Sequence, residues 1–178
     1  MIKLKDILNE ISGKDTLHVY DFDDTLVKTD TKIILVKADG TREELSSHEY
    51  AVYKPQPGDK FDFTNFDKVI AGSNPIHDNI ALIRQSLNKP NVKTTILTAR
   101  RLAFPIMYHL RKKYGLDAYV IAVGSSNPEH KADWIEDQAV NHGYKNIRFF
   151  DDSLPNIMAV EKRMKKHPDV NIELQHVK

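Results

Sequence analysis

Hydrophobic positions fall in short β-rich runs separated by longer stretches of helical spacing. Ile2, Leu4, Ile7, Leu8 and Ile11 recur at near-helical intervals and Gly13 follows, which predicts a short helix within residues 1–14 packed on the domain. Leu17, Val19 and Tyr20 predict a first strand from Thr16 to Asp23, with His18 inside it as a hydrogen-bonded core residue. Lys32 to Val36, the Asp39-Gly40 turn signal and Thr41 to Leu45 predict a β-hairpin. Ser46 to Phe66 is broken by Pro55, Pro57 and Gly58 and reads as an irregular loop. Its aromatics, Tyr50, Tyr53, Phe61, Phe63 and Phe66, either pin that loop to the body or line a substrate entrance.

Beyond the loop, Ser73-Asn74-Pro75 is expected to open a helix whose apolar face is Ile80, Leu82, Ile83 and Leu87. A buried strand at 94–98 precedes a helix over 102–114, with Pro105 tolerated only in its first turn. Tyr119 to Val123 is a strand, Asn127 to about Asn141 a helix, Asn146 to Phe150 a strand, Leu154 to Lys166 a helix, and Val170 to Val177 a last strand at an edge. Alternation of this kind predicts a single α/β domain over 1–178, a three-layer α/β/α sandwich with a mainly parallel, Rossmann-like sheet.

At 178 residues the chain is long enough for one domain with a substantial core. Its 40% hydrophobic and 29% charged residues are those of ordinary soluble proteins. A net charge of +1 gives no global field to select nucleic acid or an anionic membrane. Cysteine is absent, which excludes disulfides, thiolate metal sites and a cysteine nucleophile, and allows a reducing compartment. The first residues alternate apolar and charged, unlike a signal peptide, and no run is long enough for a membrane span, so a cytoplasmic protein is expected.

The chemistry gathers at His18-Val19-Tyr20-Asp21-Phe22-Asp23-Asp24-Thr25-Leu26, where an apolar strand ends in three acids within four residues. Acids beside a buried strand are costly unless a positive group neutralises them, and hard carboxylate oxygens suit Mg²⁺. A second acidic pair, Asp151-Asp152, leaves the apolar strand ending at Phe150. Asp21-Phe22-Asp23-Asp24-Thr25-Leu26 resembles the D-x-D-x-T motif of the haloacid dehalogenase (HAD) superfamily, most of whose members are phosphohydrolases. Three further signals follow in that family's order. Thr98, in Ile96-Leu97-Thr98-Ala99-Arg100, is similar to its strand-terminal Thr or Ser, with a helix N-cap as the alternative role. Lys131, near a helix start, is similar to its lysine, and Phe149-Phe150-Asp151-Asp152-Ser153-Leu154-Pro155-Asn156 to its acidic pair.

The resemblance implies Asp21 as nucleophile, Asp23 as proton carrier, and Thr98 and Lys131 as phosphoryl-binding groups. It implies a Mg²⁺ held by Asp21, the Asp23 main-chain carbonyl and Asp152, with Asp151 a ligand or a partner behind the ligands and Asn156 orienting Asp152 or a metal-bound water. Asp24, Thr25, Thr98, Ala99, Arg100 and Lys131 are the expected substrate contacts. Asp24 stands where glycine is common in the family, and residues 31–66 correspond to its hairpin flap, without the helices of a cap domain. The implied activity is a Mg²⁺-dependent phosphomonoesterase acting through an aspartyl-phosphate. Its phosphorylated substrate is a nucleotide or nucleic-acid end, suggested by the acid-free basic stretch 99–115, or alternatively a small metabolite. A non-catalytic module that retains the fold is the remaining alternative.

Overall fold

The computed structural model describes residues 15–46, 49–50, 53–68 and 73–178, so the expected N-terminal helix lies outside the described residues. The first half runs β1 (Thr16–Tyr20), β2 (Val27–Lys28), β3 (Ile33–Val36), β4 (Arg42–Leu45), β5 (Lys60–Asp62), a 3-10 turn (Thr64–Asp67) and β6 (Asn74–Pro75). The second runs α1 (His77–Leu87), β7 (Val92–Thr98), α2 (Phe104–Tyr114), β8 (Tyr119–Ala122), α3 (Pro128–Val140), β9 (Asn146–Asp151), α4 (Leu154–Met164) and β10 (Asn171–His176).

Five strands form one sheet in the order β10-β9-β1-β7-β8, every neighbouring pair parallel. β1 lies at its centre, which explains why Leu17 to Tyr20 are all buried. The strand period of two divides these residues between two cores. Leu17 and Val19, with Leu97 and Phe149, meet Ala132 and Ile135 of α3 and Ile157 and Val160 of α4. Tyr20, with Ile96, Val120 and Phe150, meets Ile80 and Ile83 of α1 and Ile106 and Leu110 of α2. The sheet is thus flanked by helices on both faces, and each fully buried large aliphatic contributes about 1.5–3 kcal/mol. β10 is an edge, as its alternating, half-exposed residues suggest.

Local chemistry sets the helix ends. Pro105 sits in the first turn of α2, where its missing N–H costs nothing. The helix stops at Gly115, whose φ of 63° lets its N–H turn back to the Arg111 and Leu110 carbonyls. Asn127 caps α3 by accepting the Glu129 N–H. One expected helix start is corrected: Asn74–Pro75 pairs antiparallel with Val27–Lys28, and α1 begins only at His77. Proline is tolerated in so short an edge pairing, and it keeps Asn74 out of helical conformation. The first strand also ends earlier than expected, at Tyr20, because residues 21–27 coil into a tight loop closed by Leu26 and Val27 N–H bonds to the Phe22 carbonyl.

The hairpin β3–β4 turns at Asp39-Gly40 as read from the sequence, and β5 pairs with the other side of β3 to make a three-stranded antiparallel sheet. The aromatics of this insertion pack on one another: Tyr50 meets the edges of Phe61 and Phe63 at 5.1 and 5.4 Å, and Phe63 meets Phe66 at 6.4 Å. Gly58 is required by close approach as well as by its φ of 94°, since a Cβ there would stand 2.8 Å from that of Ala38. Three contacts tie the insertion to the loops that follow β7 and β8. Arg100 donates to the Phe66 and Lys68 carbonyls, Arg101 pairs with Asp67, and the Tyr50 hydroxyl meets Ser126 Oγ at 3.3 Å. The insertion therefore rests at the carboxyl ends of the parallel strands. Among the described residues, no helix is long and apolar enough to cross a membrane.

Candidate active site

Parallel pairing brings the two acidic stretches together. Tyr20 is in register with Phe150, their rings stacked at 4.4 Å, and the Asp21 N–H extends the ladder to the Phe150 carbonyl at 2.8 Å. Asp21 and Asp151 thus leave adjacent strands side by side. Oxygens of Asp21, Asp151 and Asp152 all lie within 4.8 Å of one another. Lys131, in the first turns of α3, reaches between them, its Nζ 2.6 Å from Asp21 Oδ1 and 2.8 Å from Asp151 Oδ2. Asp21, Asp151 and Lys131 are all buried.

The electrostatics follow from that crowding. Burial pushes the Asp21 carboxyl well above the usual range; Lys131 opposes this and the neighbouring acids reinforce it. Burial, then Asp151 and Asp24, push Asp152 up to about 6. Burial alone would lower the Lys131 pKa, but Asp21 and Asp151 outweigh it and hold the ammonium above the usual lysine range. Three acids facing one lysine leave a surplus of negative charge, and the donors are all hard oxygens. That set fits a small divalent cation.

The two acids of the pair differ in setting. Asp151 is fully buried and surrounded by donors: Ser153 N–H and Asn156 Nδ2 on Oδ1, Lys131 and Asn156 Nδ2 on Oδ2. Asn156 therefore orients Asp151 rather than Asp152, a correction to the sequence expectation; it stands on the first turn of α4, beneath the strand end. Asp152 is partly exposed and is linked to the first motif by Thr25, whose Oγ1 donates to Asp152 Oδ1 at 3.3 Å and accepts the Asp152 N–H at 3.0 Å. Thr25 is itself fully buried. Its neighbour Asp24 has a φ of 56°, the left-handed region where glycine is easiest, which gives a physical reason for glycine at such a position.

Asp23 and Arg100 do not join the knot. The Asp23 carboxylate turns to Arg100, accepting from Nε at 2.8 Å and Nη2 at 2.7 Å, and Thr29 Oγ1 adds a third bond at 2.8 Å. Its side chain is outside the cation-sized group of acids. Arg100, expected to touch substrate, is buried, a second correction: a guanidinium between two aromatic rings and an acid satisfies itself inside the protein. The sequence carried no sign of this pair beyond two charged residues near strand ends. Thr98 is fully buried at the end of β7, its Oγ1 accepting the Arg100 N–H at 3.2 Å. It caps no helix, because α2 starts six residues later, at Phe104. Ala99 lies between them and is exposed.

Comparison with known proteins adds no relative: no protein-family model matches the chain, and neither a curated protein nor a solved structure does.

Proposed function

We propose that this protein is a phosphomonoesterase of the HAD type, dependent on Mg²⁺ and acting through an aspartyl-phosphate. The observation that carries the reading is the knot of Asp21, Asp151 and Asp152 around buried Lys131 at the carboxyl rim of a parallel sheet, where α/β proteins bind ligands. The 31–66 insertion, seated on that rim, serves as the family's flap. Asp21, Asp152 and the Asp23 carbonyl would hold the Mg²⁺, which would supply charge neutralisation between two anionic reactants.

The chain's own groups carry the bond changes. An Asp21 oxygen forms a bond to phosphorus as the bond to the leaving oxygen breaks, and Asp23 gives that oxygen its proton. Water then attacks the phosphorus, returns a proton to Asp23 and frees the Asp21 carboxylate. Lys131 keeps one ammonium proton for a phosphoryl oxygen while holding Asp21 and Asp151 with the others. The Thr98 hydroxyl, at the end of β7, donates to a second phosphoryl oxygen.

A nucleic-acid end is favoured over a small metabolite by the outer face of α2. Phe104 and Tyr108 are 73% and 57% exposed with ring centroids 6.2 Å apart, and Lys112 lies over the Tyr108 ring. Exposed aromatics among cations stack bases and follow a phosphate backbone. In assays of p-nitrophenyl phosphate, wild type turns over only with Mg²⁺ and Asp21→Asn falls to background while keeping its fold. Near-wild-type turnover by Asp21→Asn contradicts the mechanism. Phosphorylated oligonucleotides should be preferred to nucleotides and sugar phosphates, with turnover falling steeply as salt rises; equal rates with all three remove the polyanion preference.

A further inference from the structure

Arg100 is the most heavily committed side chain in the described structure, and the chemistry proposed above gives it no part. Its five N–H groups all have acceptors: Nε and Nη2 on the two Asp23 oxygens, Nη1 on the Phe66 and Lys68 carbonyls, and Nη2 also on Thr31 Oγ1 at 3.4 Å. The Phe22 and Phe66 rings enclose its guanidinium, at 5.6 and 4.8 Å from its central carbon. The Arg100 side chain is 1% exposed, whereas that of Asp23 is 16% exposed and so remains reachable from outside. One half of the fork thus grips an acid of the first loop, and the other half grips the backbone of the insertion.

We infer that Arg100 is a positioning residue that couples the seating of the 31–66 insertion, and of the turn that follows it to Lys68, to the orientation of the Asp23 carboxylate. A planar fork bound on both sides cannot turn for one partner without straining the other. Asp23 Oδ1 is taken by Thr29 and Nη2, whereas among the described residues Oδ2 accepts only Nε. Oδ2 therefore keeps a position that can carry the proton passed to the leaving oxygen, and Arg100 decides where it points. When the insertion lifts from Arg100, the fork loses its backbone anchors and Asp23 loses its fixed direction. Proton delivery is then confined to the state in which the insertion is seated on the site.

The inference rests on the phosphatase reading for its catalytic half, and its structural half is measurable without turnover. Arg100→Gln and Arg100→Lys are compared with wild type on two leaving groups. An alkyl alkoxide needs the Asp23 proton; p-nitrophenolate leaves without one. We expect Arg100→Gln to lose about 10²-fold in kcat on the alkyl phosphate and less than about 10-fold on p-nitrophenyl phosphate. Arg100→Lys keeps the charge but not the fork, and is expected to show the same leaving-group split. Thr29→Val, a milder change on the same carboxylate, gives a smaller split in the same direction and guards against a variant that does not fold. Equal losses on both leaving groups overturn the positioning role. Separately, trypsin should cut after Lys60 and Lys68 faster in folded Arg100→Lys than in wild type, and equal rates overturn the coupling. If wild type hydrolyses no phosphomonoester, the phosphatase reading fails, and the trypsin comparison still decides the coupling.

Discussion

At the scale of single residues, Lys131 holds the site together. It is a buried cation whose two hydrogen bonds go to acids 110 and 20 residues away in the chain. Removing one member of such a group leaves uncompensated charge in a low-dielectric interior, which costs about 3–5 kcal/mol. For Lys131→Met without divalent metal, the sign of the pH dependence follows from proton counting. Without the ammonium, nothing opposes the burial that pushes Asp21 up, so Asp21 takes up a proton in the folded state that it lacks when unfolded, and stability falls as pH rises. Relative to wild type in EDTA, Lys131→Met is expected to lose more of its urea midpoint at pH 8 than at pH 5, and a difference that is flat or opposite contradicts that placement of Lys131. The acids and the lysine were legible from the sequence because each stands at an element end in a recognisable order. The Asp23–Arg100 pair was not, since nothing in one dimension brings residues 23 and 100 together.

Among the elements, most helices and sheet strands were readable because period and punctuation agreed. Pro105 and Gly115 bracket α2, and Asn127-Pro128 opens α3. β5 escaped because Lys60–Asp62 is three residues long and flanked by prolines and aromatics, and only pairing with β3 makes it a strand. The start of α1 was misread because Pro75 is as compatible with a short edge strand as with a first turn. What seats α1 on the sheet is a buried polar relay. His18 Nδ1 meets Ser86 Oγ at 2.6 Å, and Ser86 Oγ meets Thr94 Oγ1 at 2.8 Å. Burial, aided by Arg148 and Lys89, lowers the His18 pKa from 6.5 to about 4. The folded pKa lies below the unfolded one, so this contribution is complete above about pH 6.5 and is lost as pH falls toward 4. The loss is on the order of 3 kcal/mol at about 1.4 kcal/mol per pKa unit. Denaturant titrations from pH 7 to pH 4 should show that decline, and His18→Asn should flatten it; an equal slope in both proteins rules out His18 as its source.

At the scale of the whole molecule, a parallel sheet with helices on both faces followed from the alternation of strands and helices. The seat of the insertion did not, because three hydrogen-bonded or ionic contacts from distant loops determine it. The fold works as a frame that pushes acids from two neighbouring strands toward each other, and a divalent ion should relieve their repulsion. A ligand that binds only the native state stabilises it by about 2.7 kcal/mol at a free concentration 100 times its Kd. For a domain of this size that raises Tm by roughly 2–4 °C per kcal/mol. Thermal melts of wild type should therefore rise by several degrees with Mg²⁺, and those of Asp152→Asn by much less; the same rise in both excludes Asp152 as a ligand.

The proposed chemistry turns on whether the Asp21 carboxylate takes up phosphorus. The most direct measurement is borohydride trapping during turnover of a phosphomonoester, followed by peptide mass spectrometry, because borohydride reduces an acyl phosphate to the alcohol and turns that aspartate into homoserine. Homoserine is expected at position 21, dependent on both substrate and Mg²⁺. Turnover that leaves Asp21 unreduced, or that marks Asp23 or Asp152 instead, contradicts that chemistry.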